Sequence, residues 1–202
     1  MKVFRNSISM IALAGVLVFP ALASAGSWDI DPAHSEIGFK VRHMMVSNVR
    51  GSFHDVTGVL EFDEADVTRS SVDVTIVAGS IDTGVEKRDK HLRSPDFFDV
   101  EKYPSLSFRS KKVQVVADGV FKVTGDLTIH GVTREVVLDV EGLDHQAKDP
   151  WGNTIMGATA TTKINRKDYG LTWNKALETG GVLVGDEISI TLEIELKKRT
   201  GK

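Results

Sequence analysis

The chain has 202 residues, with 25 basic and 28 acidic side chains, a formal net charge of −3 and no cysteine. This length fits one domain that can bury a sufficient core. A mildly acidic chain argues against nucleic acid as a partner. Because there is no cysteine, the fold must be stabilised by burial rather than by disulfide bonds.

The first 25 residues have the features of a cleavable export signal. Lys2 and Arg5 precede an apolar stretch from about 8 to 22, and 23–25 offers small residues at a cleavage site. The apolar stretch is too short to span a bilayer comfortably. We therefore expect residues 1–25 to be removed and residues 26–202 to form a domain in the periplasm, with an uncleaved anchor as the alternative.

Alternation of apolar and polar residues, typical of antiparallel strands with one buried face, recurs along the rest of the chain. In chain order, the alternating segments are 35–43, 58–63, 71–79, 106–116, 120–129, 136–140, 154–164 and 187–196. Asp118-Gly119 and His130-Gly131 each separate two of them and predict hairpin turns. Segment 106–116 changes phase after Phe108, which predicts a β-bulge.

About eight amphipathic strands can pack as a sandwich or close into a barrel. The barrel is slightly favoured because closure removes the edge strands. Helix signals are confined to 85–92 and, less clearly, 43–48. The pattern predicts an all-β domain with one or two short helices.

Segment 88–108, "RDKHLRSPDFFDVEKYPSLSF", breaks the strand pattern by combining charges with Leu92, Phe97 and Phe98. We expect it to lie as a cap over one end of the strands, with its apolar side chains inward. A solvated connection that merely covers a sheet end is the alternative.

Three other segments also depart from simple alternation. In 43–58, Met44 and Met45 are flexible side chains that suit irregular apolar surfaces, although methionine is as often plain core filling. Segment 164–181 predicts a mobile loop at the rim, where Trp173 either packs or contacts a ligand. Segment 142–153 is expected to be a polar loop without chemistry.

Known catalytic and metal-binding motifs are absent from the sequence. The six histidines, His34, His43, His54, His91, His130 and His145, show no metal-ligand spacing. There is no nucleophile elbow and no phosphate-binding loop. We therefore expect no catalytic residue, metal or cofactor; proton transfer by Arg88, Asp89 and His91 is the alternative.

Four blocks of the chain resemble the YceI-like family of exported bacterial proteins. They are "IDPAHSEIGFKVRHMMVSNVRGSF", "RDKHLRSPDFFDVEKYPSLSF", "VTGDLTIHGVTREVVLDV" and "INRKDYGLTW...VGDEISITLEIEL". The resemblance implies an elongated, eight-stranded, antiparallel, lipocalin-like barrel. It also implies an interior that holds a long-chain amphiphile, typically a polyisoprenoid or isoprenoid quinone, with fatty-acid-like molecules as an alternative.

A ligand-binding barrel assigns three roles to the candidate residues. The predicted lining consists of Ile37, Phe39, Val41, Met44, Met45, Phe53, Leu127, Ile129 and Trp173. The cap residues Leu92, Phe97 and Phe98 would meet the ligand tail, and Arg88 and His91, with Arg42 or Arg50, would face a polar headgroup. Small residues, namely Ala78, Gly157, Ala158 and Ala160, would leave room for a ligand.

The expected function is that of a periplasmic carrier for a long-chain isoprenoid lipid or quinone. Transient membrane contact is compatible with this role, and the oligomeric state is open, with a homodimer as one option. Two alternatives are an enzyme that acts on a lipid or quinone through Arg88, Asp89 and His91, and a stress-response or adhesion module with a solid core.

Overall fold

The computed structural model describes residues 25–178 and 180–200. In this part of the chain there are eleven strands, four short 3-10 turns and one α-helix, α1 (Glu86–Arg93). The strands are β1 (Gly26–Ile30), β2 (Glu36–His43), β3 (Ser47–Phe53), β4 (Val56–Phe62), β5 (Ser71–Val77), β6 (Ile81–Asp82), β7 (Ser105–Ala117), β8 (Val120–Ile129), β9 (Val132–Lys148), β10 (Thr154–Asn165) and β11 (Val184–Lys198). The predicted export signal lies outside the described residues, except for Ala25.

Eight of the strands form a closed antiparallel ring. Their order is β1-β4-β5-β7-β8-β9-β10-β11, and the pairing of β1 with β11 closes the ring. Trp28 lies opposite Lys198 and Ile30 lies opposite Leu196 at this junction. The predicted eight-stranded barrel is therefore confirmed.

The strands β2 and β3 extend one side of the barrel wall beyond the ring. β11 pairs with β1 near its end, around Leu196, and with β2 from Glu193 back to Val184. β3 pairs with β2 along its whole length, and the short β6 pairs only with the end of β3. We call residues 36–53 the arm. Its tip lies beyond the end of the barrel at which β11 begins.

Several local predictions agree with the structure. α1 occupies the predicted helical segment, and turns lie at 118–119 and 130–131 between paired strands. The pairing of β7 with β8 shifts register between Ser110 and Lys112, at the predicted phase change. Local turn chemistry and side-chain alternation are therefore sufficient to place these features.

Two local predictions were wrong. The segment 43–48 is not a helix, since Met44, Met45 and Val46 form the turn at the tip of the arm. The segment 142–153 is mostly strand, because β9 continues to Lys148 and pairs with β10 there. This extension is largely exposed, so it has no alternation of apolar and polar residues to reveal it.

Among the described residues, no helix combines the length and apolar character that a membrane-crossing helix requires.

Candidate ligand-binding cavity

The barrel surrounds a cavity of about 270 Å³. Apart from Gly38, Thr162 and Arg166, every residue that lines it is aliphatic or aromatic. The hydroxyl of Thr162 donates to the carbonyl of Val137 at 2.9 Å, which leaves it no second proton to donate. The cavity is therefore suited to hydrocarbon rather than to a polar group.

Strict alternation along the strands builds this lining. Every second residue of β11 from Ile188 to Leu196 faces the cavity. On the neighbouring strand, Ala158 and Ala160 also line it, opposite Ile194 and Leu192 respectively. Small residues beside large ones leave empty volume inside an eight-stranded barrel that larger side chains would fill.

The other two predicted small residues do not contribute to the space. Gly157 is exposed, because it occupies the outward phase of β10. Ala78 is buried in a 3-10 turn between β5 and β6 and does not line the cavity. The predicted role therefore holds for Ala158 and Ala160 and is wrong for Gly157 and Ala78.

The helix α1 and the residues after it close over one end of the cavity. Leu92, Phe97 and Phe98 all line it, and the Phe98 ring meets the Phe53 ring edge-on at 5.7 Å between centroids. Arg93 fastens the helix to the barrel, since its Nη2 donates to the carbonyl of Ile81 at 2.7 Å. We call residues 86–104 the cap, and the predicted inward direction of its apolar side chains is confirmed.

An aromatic cluster joins the cap to the segment before β11. The ring of His91 packs edge-on against Phe97 and Trp173, at centroid distances of 5.1 and 4.8 Å. Its Nε2 lies 2.8 Å from Oδ2 of Asp96. Phe97 lines the cavity and contacts the rings of both His91 and Trp173, neither of which lines it.

Arg166 is the charged residue that lines the cavity, and its guanidinium is fully engaged. It is 3 % exposed. Nε donates to the carbonyl of Gly185 at 2.9 Å, Nη1 donates to those of Leu171 and Trp173, and Nη2 lies 3.3 Å from Oδ1 of Asp186. Burial lowers the pKa of Arg166, and the charge of Asp186 opposes this shift. Arg166 thus holds the chain segments at the cavity end together.

Sequence reasoning missed Arg166. In "INRKDYG" three charged residues follow one another closely, and periodicity does not show which one turns inward once the strand has ended. The flanking apolar residues Ile164 and Tyr169 were the available signal. The predicted lining also omitted most of the cavity-facing residues of β5, β10 and β11, although these segments were predicted to be strands.

Nine of the fourteen predicted ligand-binding residues line the cavity. They are Ile37, Phe39, Val41, Phe53, Leu92, Phe97, Phe98, Leu127 and Ile129. Their contact with a ligand remains a prediction. The position of each follows from strand alternation or from the inward face of the cap.

The remaining five, Met44, Met45, Arg88, His91 and Trp173, do not line the cavity. Met44 and Met45 lie at the tip of the arm and are 44 % and 56 % exposed. Arg88 is turned away, because its Nε and Nη2 donate to the hydroxyl and carbonyl of Thr83 at 2.7 and 2.8 Å. Met44, Met45 and Trp173 were predicted to lie on the lining, and the structure places them elsewhere. The predicted role of Arg88 and His91 near a polar headgroup stays a prediction.

The other two headgroup candidates, Arg42 and Arg50, are exposed and also absent from the lining. Arg42 donates from Nη2 to the carbonyl of Met45 at 2.9 Å. The arm thus presents its arginines to solvent rather than to the cavity.

The three residues of the alternative catalytic hypothesis do not converge on the cavity. Asp89 is buried and accepts hydrogen bonds from the amide and hydroxyl of Thr83, the residue that Arg88 also binds. His91 faces Asp96 instead. Arg88 and Asp89 thus stabilise the start of α1. A proton-transfer site would need Arg88, Asp89 and His91 within reach of one substrate, and these residues do not meet that condition at the cavity.

One group of described residues could hold a metal ion, and it lies outside the cavity lining. Ligand atoms of Asp31, His34 and Glu195 all lie within 4.8 Å of one another. Nζ of Lys197 is 3.1 Å from Oδ2 of Asp31, so a cation already neutralises part of this cluster. The arrangement by itself does not indicate a metal centre.

Comparison with known proteins places the chain in a family. The profile of the YceI-like domain matches residues 28–196. A UPF0312 protein of Staphylococcus aureus strain N315 is 39 % identical over 170 residues, which cover 84 % of this chain and 96 % of that protein. Among solved structures, the YceI protein of Campylobacter jejuni is 36 % identical, with a TM-score of 0.67 over 84 % of this chain and 96 % of the other.

A more distant structure shares the fold. It is a polyisoprenoid binding domain from Saccharophagus degradans, 15 % identical, with a TM-score of 0.62 over 87 % of this chain and 99 % of that one. The barrel order, the matched residues and the degree of identity lead to one conclusion: the chain belongs to the family of YceI-like domains.

Proposed function

We propose that this protein binds and carries a long-chain lipid, of the polyisoprenoid class, with the hydrocarbon chain inside the barrel. One observation carries the proposal: the wall around the cavity is apolar along the strands, and its charged residue, Arg166, is already saturated. The Saccharophagus degradans domain, described as polyisoprenoid binding, supports it by having the same fold. The predicted export signal supports a periplasmic location.

The energetics favour a hydrocarbon chain over a polar ligand. Burial of each methylene group stabilises a complex by about 0.8 kcal/mol. A polar headgroup taken inside would lose its hydrogen bonds to water without finding a free donor on the lining, at roughly 1–3 kcal/mol for each unpaired group. We therefore place the headgroup at the cap end or outside it. A quinone would fit only with its polar ring at the cap end of the cavity or outside it.

The size of the cavity makes the cap part of the binding process. A volume of about 270 Å³ is close to the lower end of the range of roughly 300–1,000 Å³ for small-molecule pockets. A long chain needs more room than this, and Leu92, Phe97 and Phe98 cover the end of the cavity. Loading of a long chain thus requires the cap to shift.

Blocking the cavity tests this function. Ala160→Phe would place a ring in the empty volume, whereas Thr161→Phe, at the next and exposed position of β10, would place it on the outer surface. We expect Ala160→Phe to lower affinity for a polyisoprenoid at least tenfold and Thr161→Phe to leave it unchanged. Lipid extraction and mass spectrometry of protein purified from its native compartment measure loading, and titration measures affinity.

Two results would contradict the proposal. One is a purified wild-type protein that yields no stoichiometric lipid and takes up none on titration. The other is an equal response of affinity to Ala160→Phe and Thr161→Phe, provided that both variants melt near the wild-type temperature.

A further inference from the structure

The tip of the arm exposes three apolar side chains in an unusual turn. Met44, Met45 and Val46 are 44 %, 56 % and 77 % exposed. Met44 and Met45 both have positive φ, at 49° and 62°. Hairpin turns with two such residues strongly prefer asparagine and glycine, because long side chains are strained there. Met-Met at this turn therefore combines strained backbone with apolar exposure, a combination that suits a contact with an apolar medium.

The outer face of the arm carries an unbalanced positive charge. Lys40 lies directly opposite Arg50, and Arg42 lies opposite Asn48 in the same phase. Like charges directly opposite each other destabilise a strand pair. Of the described residues, none offers Lys40, Arg42 or Arg50 a carboxylate partner; Arg42 bonds only to the carbonyl of Met45.

Cations on other parts of the barrel wall are arranged differently. Nζ of Lys122 lies 2.5 Å from Oδ1 of Asp139 on the next strand, and Nη2 of Arg109 lies 2.6 Å from Oδ2 of Asp73. Cross-strand ion pairs are therefore common on this surface. The arm instead leaves its cations available to an external anion.

From these observations we propose that the arm docks on a bilayer that contains anionic lipid. Met44, Met45 and Val46 enter the boundary between headgroups and acyl chains, and Lys40, Arg42 and Arg50 contact the headgroup phosphates. Apolar side chains at a tip, backed by cations, are the combination with which peripheral proteins bind anionic membranes. Methionine suits this role because its flexible side chain adapts to an irregular apolar environment.

Docking in this way brings the cavity close to the membrane. Val41 lines the cavity three residues from Met44. Val184 also lines it and pairs with His43, and the amide of Met44 donates to the carbonyl of Leu183 at 2.8 Å. The tip is thus a direct continuation of the cavity wall. Docking does not require a loaded cavity, so it goes beyond the proposed carriage of lipid and is measured separately.

Cosedimentation with vesicles tests the docking surface. The protein of residues 26–202 is used both as purified and after its lipid has been extracted. Vesicles of phosphatidylcholine and phosphatidylglycerol at about 3:1 serve as the anionic probe and pure phosphatidylcholine as the neutral one. We expect binding to the anionic vesicles only, and weakening as salt rises. Arg50→Glu reverses one charge and should lower the affinity by more than fivefold, since each basic residue contributes roughly a fivefold factor and the new carboxylate also repels phosphate.

Matched variants separate the tip from the rest of the surface. Met45→Ser should weaken vesicle binding severalfold, whereas Trp151→Ser, at an 80 % exposed side chain in the turn at the far end of the barrel, should not. Lys112→Glu removes an exposed lysine from β7, away from the arm, and controls for net charge. All four sites are exposed, so we expect none of these variants to melt at a lower temperature than the wild type, and Arg50→Glu, which places opposite charges across the arm from each other, should melt slightly higher.

The proposal is overturned if the arm variants and their controls bind vesicles equally. It is also overturned if Met45→Ser changes the oligomeric state while vesicle binding stays constant, because the tip would then be an interface between two copies. Lipid extraction from the same samples reports on the proposed carrier function independently of either result.

Discussion

Arg166 shows how a charged residue can line an apolar cavity without offering a free hydrogen-bond donor to a ligand. Its guanidinium is planar with five N–H donors. Here they meet the carboxylate of Asp186 and the carbonyl groups of Leu171, Trp173, Val184 and Gly185. The apolar stem is then what a ligand would touch. A lysine could not replace it, because a single ammonium group cannot reach the carbonyl groups of Leu171 and Trp173 and also that of Gly185.

Tyr169, three residues later, carries a polar group in an unfavourable position. It is 2 % exposed, and its hydroxyl has no hydrogen-bond partner among the described residues. Burial raises the pKa of Tyr169 to about 12, the charge of Asp168 adds to the shift, and that of Arg134 opposes it.

This pKa predicts a loss of stability at alkaline pH. In the unfolded chain Tyr169 releases its proton near pH 10, but in the folded protein only near 12, so the folded state binds more protons between these values. The free energy of unfolding must therefore fall as pH rises from 10 to 12, by roughly 2–3 kcal/mol in total, and the contribution is fully present below pH 10. Denaturant unfolding over this pH range measures the fall.

Two phenylalanine variants make that measurement specific. Tyr169→Phe should remove the alkaline fall and, at pH 7, leave stability unchanged or higher by up to about 1 kcal/mol, because an unpaired buried hydroxyl is lost. Tyr103→Phe changes the other tyrosine of the chain and should retain the fall. If the two variants respond identically, the alkaline transition does not come from Tyr169.

At the scale of elements, the cap is a short helix whose own sequence stabilises it little. α1 has only eight residues, and no side chain caps its N-terminus. Helices of this length depend on tertiary contacts. Those contacts are the bonds of Arg93 to the barrel and the packing of Phe97 against Trp173, with ring centroids 5.2 Å apart.

The aromatic cluster should therefore control how readily the cap opens. Trp173→Ala removes two ring contacts, those with His91 and Phe97, and aromatic pairs contribute about 0.5–1.5 kcal/mol each. We expect hydrogen exchange of the Phe97 and Phe98 amides to become roughly tenfold faster, and bound lipid to dissociate sooner. Trp151→Ala, at an exposed tryptophan far from the cap, is the control; equal acceleration by both would show that the cluster does not hold the cap.

At the scale of the whole molecule, closure of the barrel and its empty interior are coupled. Pairing of β1 with β11 removes the free edges of the ring, so that its eight strands satisfy one another's backbone groups. The same closure traps a volume that the inward side chains do not fill, and an unfilled cavity forgoes dispersion contacts with the wall.

A bound lipid should restore those contacts and stabilise the whole barrel. A ligand that binds only the folded state, at a hundred times its dissociation constant, adds about 2.7 kcal/mol to the free energy of unfolding. For a domain of this size, that corresponds to roughly 5–10 °C in melting temperature. Calorimetry of lipid-extracted and reloaded protein measures the shift, and Ala160→Phe provides the control, since its weaker binding should give a smaller shift at the same lipid concentration.

The amino-acid sequence by itself determined which face of the regularly alternating strands points inward and where the tight turns at 118–119 and 130–131 lie. Alternation in β2 and β11 and the Asp118-Gly119 turn are local features, set by backbone geometry over a few residues. For this reason Ile37, Phe39 and Leu127 could be placed on the inner face from the sequence.

Only the tertiary structure decided which strands meet, how much space remains between them, and where residues outside the strands point. The meeting of β1 with β11 joins residues about 170 positions apart in the chain. The cavity is the volume left after side chains from all the ring strands have packed, which no local pattern specifies. Met44 and Arg166 were misplaced or missed for the same reason: strand periodicity ends before them, so their surroundings depend on segments distant in the sequence.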